Sequence, residues 1–316
     1  MRFVHWLILA VSGGVVVVCG CSDAGKDQTP PAGEVFVSIP PQATFVETIA
    51  GGRVRVRCLL EPGDSPATYS PPMKQMVALD GARLYLRIGV PFENALAGRI
   101  DTSDGRPRVV DVTRGIEKRM MRSAGGHGDD HDHAHHGAPD PHVWLSPRRV
   151  KRIATNIAEA LIAVDEEHAE TYRSNLRRFR AELDALDDEL SETLAPLAGE
   201  KMYVYHPAFG YLAADYGLEQ VPVEIEGKEP SYKRIVALAE QACRDGVRVV
   251  FVQPQFSDSA ARALADAIAQ RCRRQGRNVS IAVVPLDPLA RDYVANMRRM
   301  ANTLRAKLSG EGAPTP

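Results

Sequence analysis

The stretch Gly126–Trp144 reads GHGDDHDHAHHGAPDPHVW and holds six of the chain's nine histidines: His127, His131, His133, His135, His136 and His142. Neutral imidazole is a good donor to borderline metals such as zinc, and Asp129, Asp130 and Asp132 add oxygen donors. No core could bury so many polar rings, and Gly125, Gly126, Gly128 and Gly137 keep the run pliant. The composition predicts a solvent-exposed tract that meets metal ions; the alternative is a solvated insertion with no role. A purification tag is disfavoured, because acids interrupt the tract and it lies mid-chain.

Four further segments carry chemistry-bearing residues. His142 closes the tract in PDPHVWLSP, before a helix that starts near Pro147. His206 lies in YVYHPAFGYLAADYGL and Asp287 in VVPLDPLA, each just beyond a β-rich run. IEGKEPS, Ile225–Ser231, follows another. Ligand residues of open α/β sheets sit at the carboxyl ends of strands, so the three segments of the second half can converge on one edge. Taken singly each signal is weak, since a lone histidine after a strand is more often a structural hydrogen-bonder.

The elements that must position these residues follow from alternating β-rich and helical patterns, which predict parallel α/β layers. Strands are expected near Glu34–Ile39, Val54–Leu59, Arg83–Ile88 and Arg108–Val112, and again near Lys201–Tyr205, Gln220–Ile225, Val247–Val252 and Ser280–Val284. The halves repeat in pattern without obvious repetition of sequence. Between them Tyr172, Leu176, Phe179, Leu183, Leu186 and Leu190 recur at steps of four and three, one apolar stripe on a long helix from about Glu166 to Leu194. The fold class expected is α/β: two small lobes with parallel sheets, joined by one long linking helix. The lobes take residues 34–164, with the His-rich loop 125–137, and 198–309; the linking segment takes 165–197.

The amino end reads MRFVHWLILAVSGGVVVVCGC: a positive Arg2, then an apolar run of signal-peptide length, too short for a confident span. Val18–Cys21 resembles a bacterial lipoprotein cleavage box. That makes 1–20 a signal peptide, Cys21 the lipidated first residue, and 21–33 a polar Pro/Gly-rich tether. An ordinary signal peptide or an uncleaved anchor are the alternatives. The net charge of −1 offers no basic face for nucleic acid. Cys58, Cys243 and Cys272 remain in an exported chain. A disulfide is expected between Cys243 and Cys272, because each lies near the end of a helix leading into a parallel strand. Cys58, in a strand with alternating arginines, is expected as a buried free thiol.

PGDSPATYSPP, PDPHVWLSP, YHPAFGYLAADYGL, IEGKEPS, FVQPQFS and LDPLA together resemble the zinc- and manganese-type substrate-binding proteins of bacterial ABC importers, the ZnuA/TroA-like family. The resemblance runs from about Val35 to Leu308. It implies two α/β lobes joined by a long helix, with the metal held between them by His142, His206 and Asp287. Manganese-type members tend to place a carboxylate where this chain has His206, so the resemblance implies zinc as cargo, with manganese or iron behind it. It also implies an ABC permease with its ATPase as partner, a monomeric lipid-anchored protein outside the cytoplasm, and no enzymatic step. A receptor for a chelated metal, a periplasmic zinc buffer and a metallohydrolase are the competing readings.

One departure stands out. The family's first ligand is a histidine in a GxSPHxY-like motif, and this chain has Ala67 in GDSPATY. Two imidazoles and a carboxylate can hold zinc with water in the fourth position. Alternatively a tract histidine, Asp64 or Glu226 completes the set, or the site has drifted to another cargo. Gln253, where an acid is frequent, reads as a secondary change.

Overall fold

The computed structural model describes residues 33–100, 105–121, 138–224 and 228–309. β1 (Glu34–Val37), β2 (Arg55–Cys58), β3 (Leu84–Arg87) and β4 (Arg108–Asp111) form one sheet in the order β2-β1-β3-β4. β5 (Lys201–Val204), β6 (Glu219–Pro222), β7 (Val249–Val252) and β8 (Ala282–Pro285) form a second in the order β6-β5-β7-β8. Every pairing is parallel. Each strand falls where β-branched and aromatic runs between turn residues place it. Both sheets reverse their winding at the first strand, between β1 and β3 and between β5 and β7. The carboxyl edge at such a reversal is where open α/β sheets bind ligands.

The helices of the first half are α1 (Pro40–Ala50), α2 (Met73–Asp80), α3 (Phe92–Leu96) and α4 (Pro147–Val164). After α5 (Ala169–Leu194) come α6 (Gly210–Asp215), α7 (Tyr232–Arg244), α8 (Ser259–Arg274) and α9 (Tyr293–Leu308). α5 is the long strut. It begins three residues later than its acids suggest, because Glu166–His168 winds as a 3-10 turn. There Asp165 accepts from His168 Nδ1 at 3.0 Å and from the Tyr172 hydroxyl, fixing the turn before the helix proper.

Tyr172, Phe179, Leu183, Leu186, Leu190 and Leu194 bury one face of α5. That face meets α4 and α1 from the first half and α9 from the end of the chain. Phe45 of α1 packs 5.8 Å from Phe179 of α5 and edge-on, at 4.9 Å, to Tyr293 of α9. Such pairs add about 0.5–1.5 kcal/mol each beyond the area they bury. α1 stops at Gly51, whose φ of 58° suits glycine. Asn175 of α5 approaches closely there and donates to the Ile49 carbonyl at 2.9 Å. One continuous apolar core thus runs through both sheets and the strut, and the described residues fall in one compact unit. A smaller core lies between α7, α8 and the second sheet.

Cys243 and Cys272, in the last turns of α7 and α8, are joined by a disulfide with Cα atoms 5.6 Å apart. In the chain-entropy account a loop of this size contributes about 3–4 kcal/mol. Cys58 is free and half-buried, and burial pushes its thiol up to about 12. That leaves it a poor nucleophile. Among the described residues no helix is long and apolar enough to cross a membrane.

Candidate metal centre

β5 ends at Val204, leaving His206 at the carboxyl edge of its sheet. Gln253 holds the matching place after β7 and is 1% exposed. Its side chain continues the ladder where the two strands part. Oε1 accepts from the His206 N–H at 3.2 Å, and Nε2 donates to the His206 carbonyl at 2.6 Å. A carboxylate at 253 would accept but could not donate, so the amide is the residue that pins both backbone groups. The His206 ring stacks on Phe256 at 5.2 Å, and its Nδ1 lies 2.5 Å from Oε1 of Glu224, a carboxylate 2% exposed.

His142 is built in the same way from the other side. Its Nδ1 lies 2.7 Å from Oδ1 of buried Asp140, which also accepts the His142 backbone N–H at 3.0 Å. Asp140 packs tightly on the start of α6: a Cβ on Gly210 would sit 3.0 Å from its Oδ2, so a larger residue there would press on the carboxylate. The Tyr211 hydroxyl donates to the Asp140 carbonyl at 3.0 Å and accepts from Arg119 N–H at 3.0 Å. Trp144 packs 5.2 Å from the His142 ring and donates its indole N–H to the Pro288 carbonyl at 2.8 Å. That bond ties the His142 turn to the Asp287 loop.

The two rings meet with Nε2 atoms 3.3 Å apart. Each Nδ1 faces a carboxylate, which favours the tautomer with its proton on that nitrogen and leaves the two Nε2 atoms facing each other as acceptors. Lone pairs this close repel unless a cation or proton lies between them. Burial holds His206 below the ordinary imidazole range, against the pull of Glu224, and His142 pushes in the same direction. With metal–nitrogen bonds of about 2.0–2.1 Å, two nitrogens of a tetrahedral site lie ~3.3 Å apart. A backing carboxylate on each ligating histidine is the usual means of fixing its tautomer and orientation.

Asp287 follows β8. Its Oδ1 accepts from Gln255 Nε2 at 3.0 Å and from the Leu289 N–H at 2.9 Å, and its carbonyl accepts from Asn296 at 2.7 Å. Among the described residues no group of three His, Cys, Asp or Glu side chains is gathered at metal-holding spacing. The structure brings His142 and His206 together and holds Asp287 on the neighbouring loop. Asp64 accepts from the Glu61 N–H at 2.8 Å within the β2–α2 loop, and Ala67 is exposed two residues on from Ser65. Cys21, His127, His131, His133, His135, His136 and Glu226 lie outside the described residues. Asp140 and Glu224 were missed from the sequence, although each stands two residues before a residue singled out there, His142 and Glu226.

The family described as "ZnuA: Zinc-uptake complex component A periplasmic" matches residues 35–307. The chain belongs to this ZnuA family. It is 35% identical to the protein in a crystal structure of ZnuA, covering 87% of this chain and 98% of that one at a TM-score of 0.76. A ZnuA deletion mutant solved with zinc bound matches at 34% identity and a TM-score of 0.77, over 90% of this chain and 99% of that one. The two-lobe α/β fold with its linking helix is thus the family's fold. Among curated relatives, the zinc-binding lipoprotein AdcA of Streptococcus pneumoniae is 25% identical over 99% of this chain. The chain spans 62% of that protein's length. A putative metal-binding protein of Chlamydia muridarum is 28% identical over 93% of this chain and 96% of its own length.

Proposed function

We propose that this protein is an extracytoplasmic receptor that captures zinc between its two lobes and delivers it to an ABC permease. The observation that carries the reading is the pair of Nε2 lone pairs, 3.3 Å apart and each backed by a buried carboxylate. Such a pair spans one edge of a zinc tetrahedron. Family membership and the zinc-bound ZnuA structure point the same way. His142 and His206 supply two ligands. Asp287, whose Oδ1 is taken by Gln255 and the Leu289 N–H, supplies Oδ2 as the third, and water completes the set. Capture needs no covalent chemistry: the histidines arrive oriented by their carboxylates, so binding costs little reorganisation. Metal analysis of untagged protein, with competitive titration across zinc, manganese, iron and copper, tests the reading. One tight equivalent of zinc supports it; preference for another metal overturns it.

The tract Gly125–His136 acts as a collector that holds further zinc weakly through its closely spaced imidazoles and carboxylates. Deleting it is expected to lower total zinc per protein while leaving the tightest site within a few-fold of its original affinity, read by equilibrium dialysis. Loss of the tight site instead would place a primary ligand in the tract. The protein is held at the membrane by lipid on Cys21. A Cys21→Ser chain is expected to accumulate as unprocessed precursor on immunoblots, and normal processing would move the cleavage point elsewhere.

A further inference from the structure

Aligned by topology, the two halves repeat in sequence at one place. α2 and α7 are equivalent, each following the outer strand of its sheet (β2 and β6). They begin Pro71-Pro72-Met73-Lys74-Gln75-Met76-Val77-Ala78-Leu79 and Pro230-Ser231-Tyr232-Lys233-Arg234-Ile235-Val236-Ala237-Leu238. Burial repeats with sequence. Leu79 and Leu238 are buried, and Met76 and Ile235 turn inward. Core packing accounts for those positions. It does not account for the outward ones.

Met73 is 70% exposed and Val77 65%; their counterparts Tyr232 and Val236 are 83% and 45% exposed. First and fifth residues of a helix share one face, so each lobe presents one apolar stripe beside an exposed lysine, Lys74 or Lys233. Among the described residues these four make up most of the large exposed apolar side chains; the others are Val109 and Met120. In a parallel sheet the helix after a strand starts at the carboxyl edge, so each stripe opens on the carboxyl edge of its own sheet, which in the second lobe is the edge from which His206 and Asp287 rise. Singly exposed apolar side chains are ordinary. A matched pair of stripes, in register and with the same flanking charge, is not.

We propose that the two stripes are paired docking feet, one per lobe, for the membrane permease of the function proposed above. The receiving surface would be two-fold or nearly so, each half offering an apolar pocket rimmed by carboxylates. This rests on the transport reading and names its contact surface. Equivalence argues for a partner with equivalent halves, because an asymmetric protein would not select the same residues twice. A lipid surface needs no matched register, and two short stripes offer little area for it. Engaging both feet at once multiplies two weak contacts into one firm one.

The test replaces the gene in its own cells and measures uptake of radiolabelled zinc under zinc limitation, alongside zinc affinity of each purified full-length protein. The Met73→Glu/Val77→Glu and Tyr232→Glu/Val236→Glu chains are each expected to lower uptake about tenfold, with zinc affinity within twofold of the parent. Met73→Leu/Val77→Ile should keep uptake, as should the surface control Val109→Glu. A photocrosslinking benzoylphenylalanine in place of Val77, or of Val236, should join the protein to one and the same multispanning membrane subunit. Normal uptake in the glutamate chains, in cells where gene deletion abolishes uptake, overturns the docking feet and spares the transport reading. If deletion itself leaves uptake unchanged, the transport reading fails and the crosslinks decide alone. Crosslinks to a second copy of the chain or to lipid, or none at all, overturn the proposal.

Discussion

His206→Ala is expected to weaken the tight zinc site by well over 100-fold, read by competition against a chelating dye of known affinity. Loss of this ring removes one of the three protein donors proposed above and leaves the buried Glu224 carboxylate without its partner. Loss of an orienting carboxylate costs roughly 10–100-fold in metal affinity, so Glu224→Gln and Asp140→Asn should fall in that range and His142→Ala should match His206→Ala. The ranking matters more than any single value. A ligand pair backed by carboxylates predicts two large effects and two intermediate ones. A structural hydrogen-bonding cluster predicts lower thermal stability with zinc affinity intact. Melting curves of the metal-free variants separate the two outcomes.

The sheets and the strut were legible in the sequence because their signals are local. β-branched runs between turn residues mark each strand, and the 3.6-residue stripe from Tyr172 to Leu190 marks α5 without reference to any partner. His142, His206 and Asp287 could be picked out, by strand ends and by resemblance. Their supports could not. Gln253 looked secondary in the sequence, yet its amide closes the backbone on both sides of His206, a role that exists only because β5 and β7 separate there. Glu224 lies two residues before Glu226, and only the fold turns the first of them onto a histidine. The unity of the core was equally hidden. Phe45, Phe179 and Tyr293 come from three distant segments and meet where α1, α5 and α9 cross. Two lobes read from a repeating pattern therefore pack as one unit. The repetition between α2 and α7 needs the sheet order before it can be seen, because the loops ahead of the two helices differ in length.

Ala67→His is expected to tighten zinc binding by roughly tenfold or more, each decade corresponding to about 1.4 kcal/mol. The family places an imidazole there, and this chain places a methyl group on the loop between β2 and α2. Two neighbours anchor that loop: the Tyr69 hydroxyl donates to the Leu59 carbonyl at 2.8 Å, and the Phe92 N–H donates to the Pro66 carbonyl at 3.3 Å. Ala67 itself is exposed, so a larger side chain meets no packing penalty. A new imidazole would replace an exchangeable water on zinc without the cost of ordering a long segment. The measurement is made in the parent and in the His206→Ala background. Tightening that disappears when His206 is removed assigns the new ring to the same zinc as the histidine pair. Tightening that survives there assigns it to a separate ion. If zinc affinity responds neither to Ala67→His nor to His206→Ala, zinc does not bind between the lobes, and a different cargo occupies the cleft.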